Sequence, residues 1–131
     1  MKTMALDFGS ARTGVAVSDP TGVIARPLGV VERAGSERGL AELVRLVGEQ
    51  EADQVVVGLP LTLRGARGEQ ARATERFVDA LRGVLDVPVV LFDERFTTDL
   101  AQQTPSAAPE DARAAAHLLS SYLAWSSATP A

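Results

Sequence analysis

The strongest constraint on this chain is the way its hydrophobic period alternates over residues 36–94. Ser36 precedes a stretch whose apolar positions Leu40, Leu43, Val44 and Val47 recur at i, i+3, i+4 and i+7, the spacing of one helix face. Gln54–Leu59 is then an unbroken Val-rich run, as a strand buried on both faces requires. After a Gly/Arg loop at 61–68, Ala73, Phe77, Ala80, Leu81 and Val84 mark a second amphipathic helix, and Pro88–Glu94 supplies another buried strand. Successive strand–helix–strand units call for parallel pairing, right-handed crossovers and helices lying on the sheet. Ligands of such a sheet sit beyond the carboxyl ends of its parallel strands.

The first third of the chain is extended. Thr3–Phe8 is apolar and ends in the turn signal Asp7-Phe8-Gly9-Ser10, Thr13–Ser18 alternates around Val15 and Val17, and Arg26–Glu32 is a third run. Short polar connections make these three an antiparallel meander. Residues 102–110 are rich in Gln, Pro, Ser and Ala and read as a loop before a third helix, Asp111–Trp125. The order is βββαβαβα, an α/β fold. A length of 131 residues with no internal repeat predicts one domain over 1–126, with 127–131 as a frayed tail.

Composition narrows the chemistry. The chain has no Cys, which excludes disulfide scaffolds, thiolate zinc sites and cysteine catalysis. Apolar stretches such as Val87–Phe92 are too short to span a membrane, and Asp7 interrupts the apolar start after Lys2, so the expected location is the cytoplasm. Thirteen basic against seventeen acidic residues give a net charge of −4, which argues against a general nucleic-acid coat. Twelve of those thirteen cations are nevertheless Arg, the side chain suited to two-pronged phosphate contact. Between 61 and 76, Arg64, Arg67, Arg72 and Arg76 face only Glu69 and Glu75, a local +2.

Three acids stand where such a fold places chemistry. Asp7 ends an otherwise apolar strand, and Gly9 and Gly14 flank a turn where backbone can approach a ligand closely. A charge there is expensive without a cation, a donor or a metal; the plain alternative is a side-chain cap on the turn. Asp93-Glu94-Arg95 ends the last strand, and alternation sends Asp93 and Glu94 to opposite faces. Here the alternative is an Asp–Arg pair and a simple turn, with Thr97 and Thr98 capping a short helix near Asp99. Asp111 shares the face of Ala115, Leu118 and Tyr122, whereas a helix-dipole role alone would not require the apolar side. Carboxylates without His or Cys make a hard-oxygen site suited to Mg²⁺ or Mn²⁺ rather than Zn²⁺. His117, in mid-helix, reads as a packed or half-exposed side chain.

These residues carry a resemblance. The segment Ala5-Leu6-Asp7-Phe8-Gly9-Ser10-Ala11-Arg12-Thr13-Gly14-Val15-Ala16-Val17-Ser18-Asp19 resembles the opening of the YqgF (RuvX-like) family. Val55–Pro60, Asp93–Thr98 and Asp111 followed by Ala114-Ala115 match its remaining blocks in order, over nearly the whole chain. The resemblance implies an RNase H-like fold related to the RuvC resolvases, with a five-stranded mixed sheet in the order 3-2-1-4-5, strand 2 antiparallel. Glu94 would then lie two strands from Asp7, roughly 10 Å between backbones. It also implies a metal-dependent endonuclease, acting on the 5′ end of pre-16S rRNA or, alternatively, resolving Holliday junctions in branched DNA.

Carried over by position, Asp7, Glu94 and Asp111 are the catalytic metal ligands for two Mg²⁺ or Mn²⁺ ions. Gly9, Gly14, Asp93, Thr97 and Thr98 support them. The segment 102–110 is shorter than is usual in the family and carries no Lys or Arg, which leaves Arg12, Arg64, Arg67 and Arg95 as the phosphate contacts. The expected partner is structured RNA or branched DNA, bound by a monomer or a homodimer. Two other readings are weaker: a sugar-kinase-like phosphotransferase needs a second domain that 131 residues cannot supply, and a non-catalytic RNA-binding factor would gain nothing from acids that repel its ligand.

Overall fold

The structure, a computed structural model, describes residues 1–62, 64–96 and 109–128. Its elements are β1 (Thr3–Asp7), β2 (Arg12–Ser18), β3 (Ala25–Glu32), α1 (Glu37–Gln50), β4 (Gln54–Leu59), α2 (Glu69–Val84), β5 (Val89–Asp93), a single 3₁₀ turn over Glu94–Phe96, and α3 (Glu110–Ala128). The five strands form one sheet in the order β3-β2-β1-β4-β5, with β2 antiparallel to both neighbours and β1, β4 and β5 parallel. The α/β class, the strand order and the antiparallel second strand are those expected. No helix among the described residues is long and apolar enough to cross a membrane.

Side-chain alternation along the strands divides the interior into two layers. Met4, Leu6, Val15, Val55 and Val57 face one side, where Leu43 and Val47 of α1 and Phe77 and Leu81 of α2 cover them. Ala5, Ala16, Val56 and Phe92 face the other side and pack on Ala115, Leu118, Leu119 and Tyr122 of α3. α1 begins as its sequence predicts: the Ser36 hydroxyl accepts a hydrogen bond from the Gly39 N–H at 3.1 Å. At the end of β1 the ring of Phe8 stacks on Phe77, with centroids 4.3 Å apart, and ties the strand's exit to α2.

Small residues let α3 come close to the sheet. A Cβ on Gly14 of β2 would lie 1.8 Å from the carbonyl oxygen of Asp111, so the start of α3 rests directly on that strand. Gly14 in turn pairs with Asp7 across β1 and β2. One contact therefore brings the third acid's helix to the first acid's strand.

The last strand differs from expectation in its burial and its end. β5 holds the edge position that the order 3-2-1-4-5 implies, so Val89 and Phe92 are buried while Val90 and Leu91 are only half-buried. It also ends at Asp93, and Glu94 opens the 3₁₀ turn instead of finishing the strand. A buried strand and a half-buried edge strand read alike when both are apolar and short. On the edge, the guanidinium of Arg82 donates to the carbonyl oxygen of Val89, with Nη2 at 2.8 Å. Thr97 and Thr98, and with them most of the 102–110 loop, lie outside the described residues.

Gly14→Ala is expected to lower stability by about 1–3 kcal/mol, because backbone rather than a flexible side chain must yield. Gly29→Ala in β3 meets open space and is the control, with a midpoint equal to or slightly above that of the unmodified protein. Urea unfolding of the two variants side by side checks both.

Candidate functional site

The carboxyl ends of β1 and β4 and the start of α2 enclose a cleft of about 220 Å³. Asp7, Phe8, Gly9 and Ser10 form one wall, Pro60 and Glu94 another, and Gln70, Ala73 and Thr74 of α2 close it. Asp7 and Glu94 thus meet at one site, although 87 positions separate them in sequence. Glu94 reaches the cleft over Gly58: a Cβ on that glycine would lie 2.5 Å from the Glu94 Oε1. The turn after Asp7 is equally tight, since a Cβ on Gly9 would lie 2.5 Å from the carbonyl oxygen of Arg12. The buried Thr13 hydroxyl faces the backbone of Gly9 from across this turn.

Charge accumulates here. Burial, and then the nearby Asp111 carboxylate, push the pKa of Asp7 above the ordinary 3.8. Burial, then Asp7, then Asp93 push Glu94 above 4.5. Asp93 behaves in the opposite way. It pairs with Arg95, whose Nη2 is 2.6 Å from its Oδ2, and that bonding holds Asp93 below the ordinary value. The Asp93-Glu94 pair divides, Glu94 lining the cleft and Asp93 anchoring an arginine, although the direction of Glu94 is set by the 3₁₀ turn rather than by strand alternation.

Asp111 does not line the cleft. It lies at the start of α3, and its Oδ2 is 3.2 Å from the Nε of Arg12. Its face is the one predicted, but the first turn sits at the rim of the core, leaving 40% of the side chain exposed. Among the described residues no three acids gather closely enough to hold a metal ion. Two of the three expected ligands share a cleft, and the third is held beside it by an arginine. The donor chemistry of the pair fits a hard divalent cation, because two carboxylates whose ionisation is opposed by burial and by acidic neighbours are relieved by one.

The expected phosphate contacts are mostly engaged. Arg12 pairs with Asp111, Arg95 with Asp93, and Arg67 with Glu75 at 3.6 Å. Arg95 also lies over the loop turn, where a Cβ on Gly65 would be 3.2 Å from its Nη1. Arg64 is exposed and has no ion pair among the described residues. Gln70, Thr74 and Gly58 are site residues that the sequence reading missed. A lone glycine inside the Val-rich β4 run was the available signal, because glycine in a strand marks a close approach.

The chain matches the family model described as "RuvX: Holliday junction resolvase" over residues 1–125. A relative from Chloroflexus aggregans bearing the name "Putative pre-16S rRNA nuclease" is 51% identical over 100 residues, covering 76% of this chain and 70% of its own. A relative of the same name from Chloroflexus aurantiacus is 50% identical over 100 residues, covering 76% and 65%. The aligned stretch is thus about two-thirds of each relative's length. Among solved structures, Thermus thermophilus RuvC in complex with a Holliday junction substrate superposes with a TM-score of 0.69 at 16% identity, over 98% of this chain and 96% of that one. At that identity the likeness is one of fold.

The raised carboxylates set a pH dependence. A carboxyl group whose folded pKa exceeds its unfolded value contributes stability that is complete below the unfolded value and lost as pH rises through the folded one. In chelator, Asp7→Asn and Glu94→Gln should therefore each raise the melting temperature at neutral pH by about 2–4 °C. The gain should vanish as pH falls toward the ordinary values of 3.8 and 4.5. Calorimetric melts across that range would contradict the site's electrostatics if the gain were constant or reversed.

Proposed function

The chain belongs to the RuvX family, and from that premise we propose that the cleft is the active site of a metal-dependent nuclease that hydrolyses phosphodiester bonds in structured RNA. The observation that carries this reading is the convergence of Asp7 and Glu94, from β1 and from the turn after β5, on one cleft despite their repulsion. Carboxylates forced together in this way are expensive to keep unless a cation or a proton serves them. Maturation of the 5′ end of pre-16S rRNA is the proposed role, supported by the name that relatives at 50% and 51% identity bear. Location in the cytoplasm belongs to the same proposal.

Asp7 and Glu94 would hold Mg²⁺ or Mn²⁺, with Asp111 as the third oxygen donor. When bound, such a cation supplies Lewis acidity toward the attacking water and the leaving oxygen of an in-line displacement. The chain's own residues do the rest. The Phe8–Phe77 stack and the Gly9 turn fix the floor beside Asp7. Gln70 and Thr74 bring polar groups to the wall facing the two acids. Arg64, exposed on the loop before α2, would meet a phosphate, with Arg12 beside Asp111 and Arg95 following Glu94 in the 3₁₀ turn. The favourable positive end of α2 lies on the same side, with Gly68 at its cap and no side chain bonded to it.

A second substrate has its own support, since the matched family is described as a Holliday junction resolvase. Symmetric resolution of a four-way junction needs two active sites, hence a dimer, whereas cleavage of one RNA strand does not. End-labelled precursor RNA, duplex DNA and a four-way junction, each incubated with Mg²⁺ or Mn²⁺, separate these readings. The expected result is internal cleavage of the RNA, reduced at least about 100-fold in Asp7→Asn and Glu94→Gln with melting temperatures no lower than the parent's. Junction cleavage by a dimer would move the substrate to DNA. Full activity in both variants would end the site assignment.

A further inference from the structure

Asp111 is next to the cleft and is already partnered. We infer that Arg12 is the standing counter-ion of Asp111, that a divalent cation engages Asp111 only as the guanidinium leaves it, and that Arg12 therefore sets the metal affinity of the site. This rests on the reading above that the cleft takes such a cation.

The placement of the pair is dictated by backbone. Arg12 opens β2, Gly14 two residues on lies against the Asp111 carbonyl, and Gly14 pairs with Asp7. The same close approach that sets Asp111 beside Asp7 thus sets it beside Arg12. Asp7 and Glu94 share the cleft with Asp111 beside it, and Arg12 is the cation in contact with Asp111. Without metal it offsets charge that would otherwise fall on Asp7, whose ionisation Asp111 already opposes.

The pair is also easy to break. The Arg12 side chain is 67% exposed and that of Asp111 40%, so water screens their attraction. An exposed pair of this kind contributes little to stability, and a guanidinium competes poorly with a divalent ion for a hard carboxylate. Once displaced, Arg12 stays tethered at the mouth of the site with all its donors open, which suits the phosphate of an incoming strand. The metal thus takes the arginine's place at Asp111, and the arginine turns to the substrate.

Isothermal titration of Mn²⁺ into the full chain, without nucleic acid, tests this in a double-mutant cycle. Arg12→Ala should tighten Mn²⁺ binding by about 2–5-fold, the scale of an exposed ion pair. In the Asp111→Asn background the same substitution should change nothing, because there is no longer a carboxylate to contest. Arg12→Lys should fall between the parent and Arg12→Ala, and circular dichroism confirms that each variant is folded. Equal tightening in both backgrounds would overturn the inference, reducing Arg12 to a nearby positive charge. Unchanged or weaker binding in Arg12→Ala would also overturn it, while leaving the metal-dependent reading intact. Absence of saturable binding in every protein would overturn both.

Discussion

An ionised carboxylate in a largely buried position is among the more expensive groups a small domain can carry, and this fold places two of them, from the end of β1 and the turn after β5, in one cleft. Much of the surrounding structure follows from accommodating that pair. β1 must be central so that Asp7 faces inward from a fixed backbone, and β4 must present Gly58 so that Glu94 can reach over it. The stacked rings of Phe8 and Phe77 hold the exit of β1 against α2. Burial raises both pKa values, with Asp111 adding to the rise at Asp7, and Asp7 and Asp93 to that at Glu94, a cost set against the stability supplied by the two apolar layers. A site built this way is preorganised for positive charge before any arrives.

The basic residues are organised around the same problem. Arg95 is bound to Asp93 and Arg12 to Asp111, so two of the arginines nearest the cleft already stabilise acids. The chain carries a net charge of −4, and no broad positive field is available to draw a polyanion in. On the proposed reading, attraction for a phosphate backbone would be local and conditional, resting on the loop arginines and on the guanidinium that a bound cation would release.

Much of this was legible in the residues, and the reasons differ by element. The 3.6-residue period from Leu40 to Val47 and the Ser36 cap predicted α1 because both signals are local. The Val-rich run of β4 was equally plain, and glycines 9 and 14 pointed to close approach. Partnership was harder to read. That Asp111 faces Arg12, 99 positions earlier, depends on how α3 settles on β2, which no local pattern encodes. Helical phase placed Asp111 on the right side of α3 but could not tell its depth, since a first turn overhangs the core it points toward. The half-burial of β5 was hidden for a similar reason: its apolar run alone reads as a fully buried strand, and a strand covered by one neighbour and a helix is apolar too.

The edge contact of Arg82 has a consequence beyond holding β5. An uncovered edge strand offers a row of open carbonyl and amide groups on which another chain can lay a strand of its own. On β5 the outward carbonyl of Val89 is already occupied by a guanidinium that is itself anchored on α2. A second molecule adding there would have to dislodge a charged side chain and leave it without its acceptor. The arginine is therefore placed to oppose edge-to-edge pairing, and it stands at the start of the strand whose far end delivers Glu94.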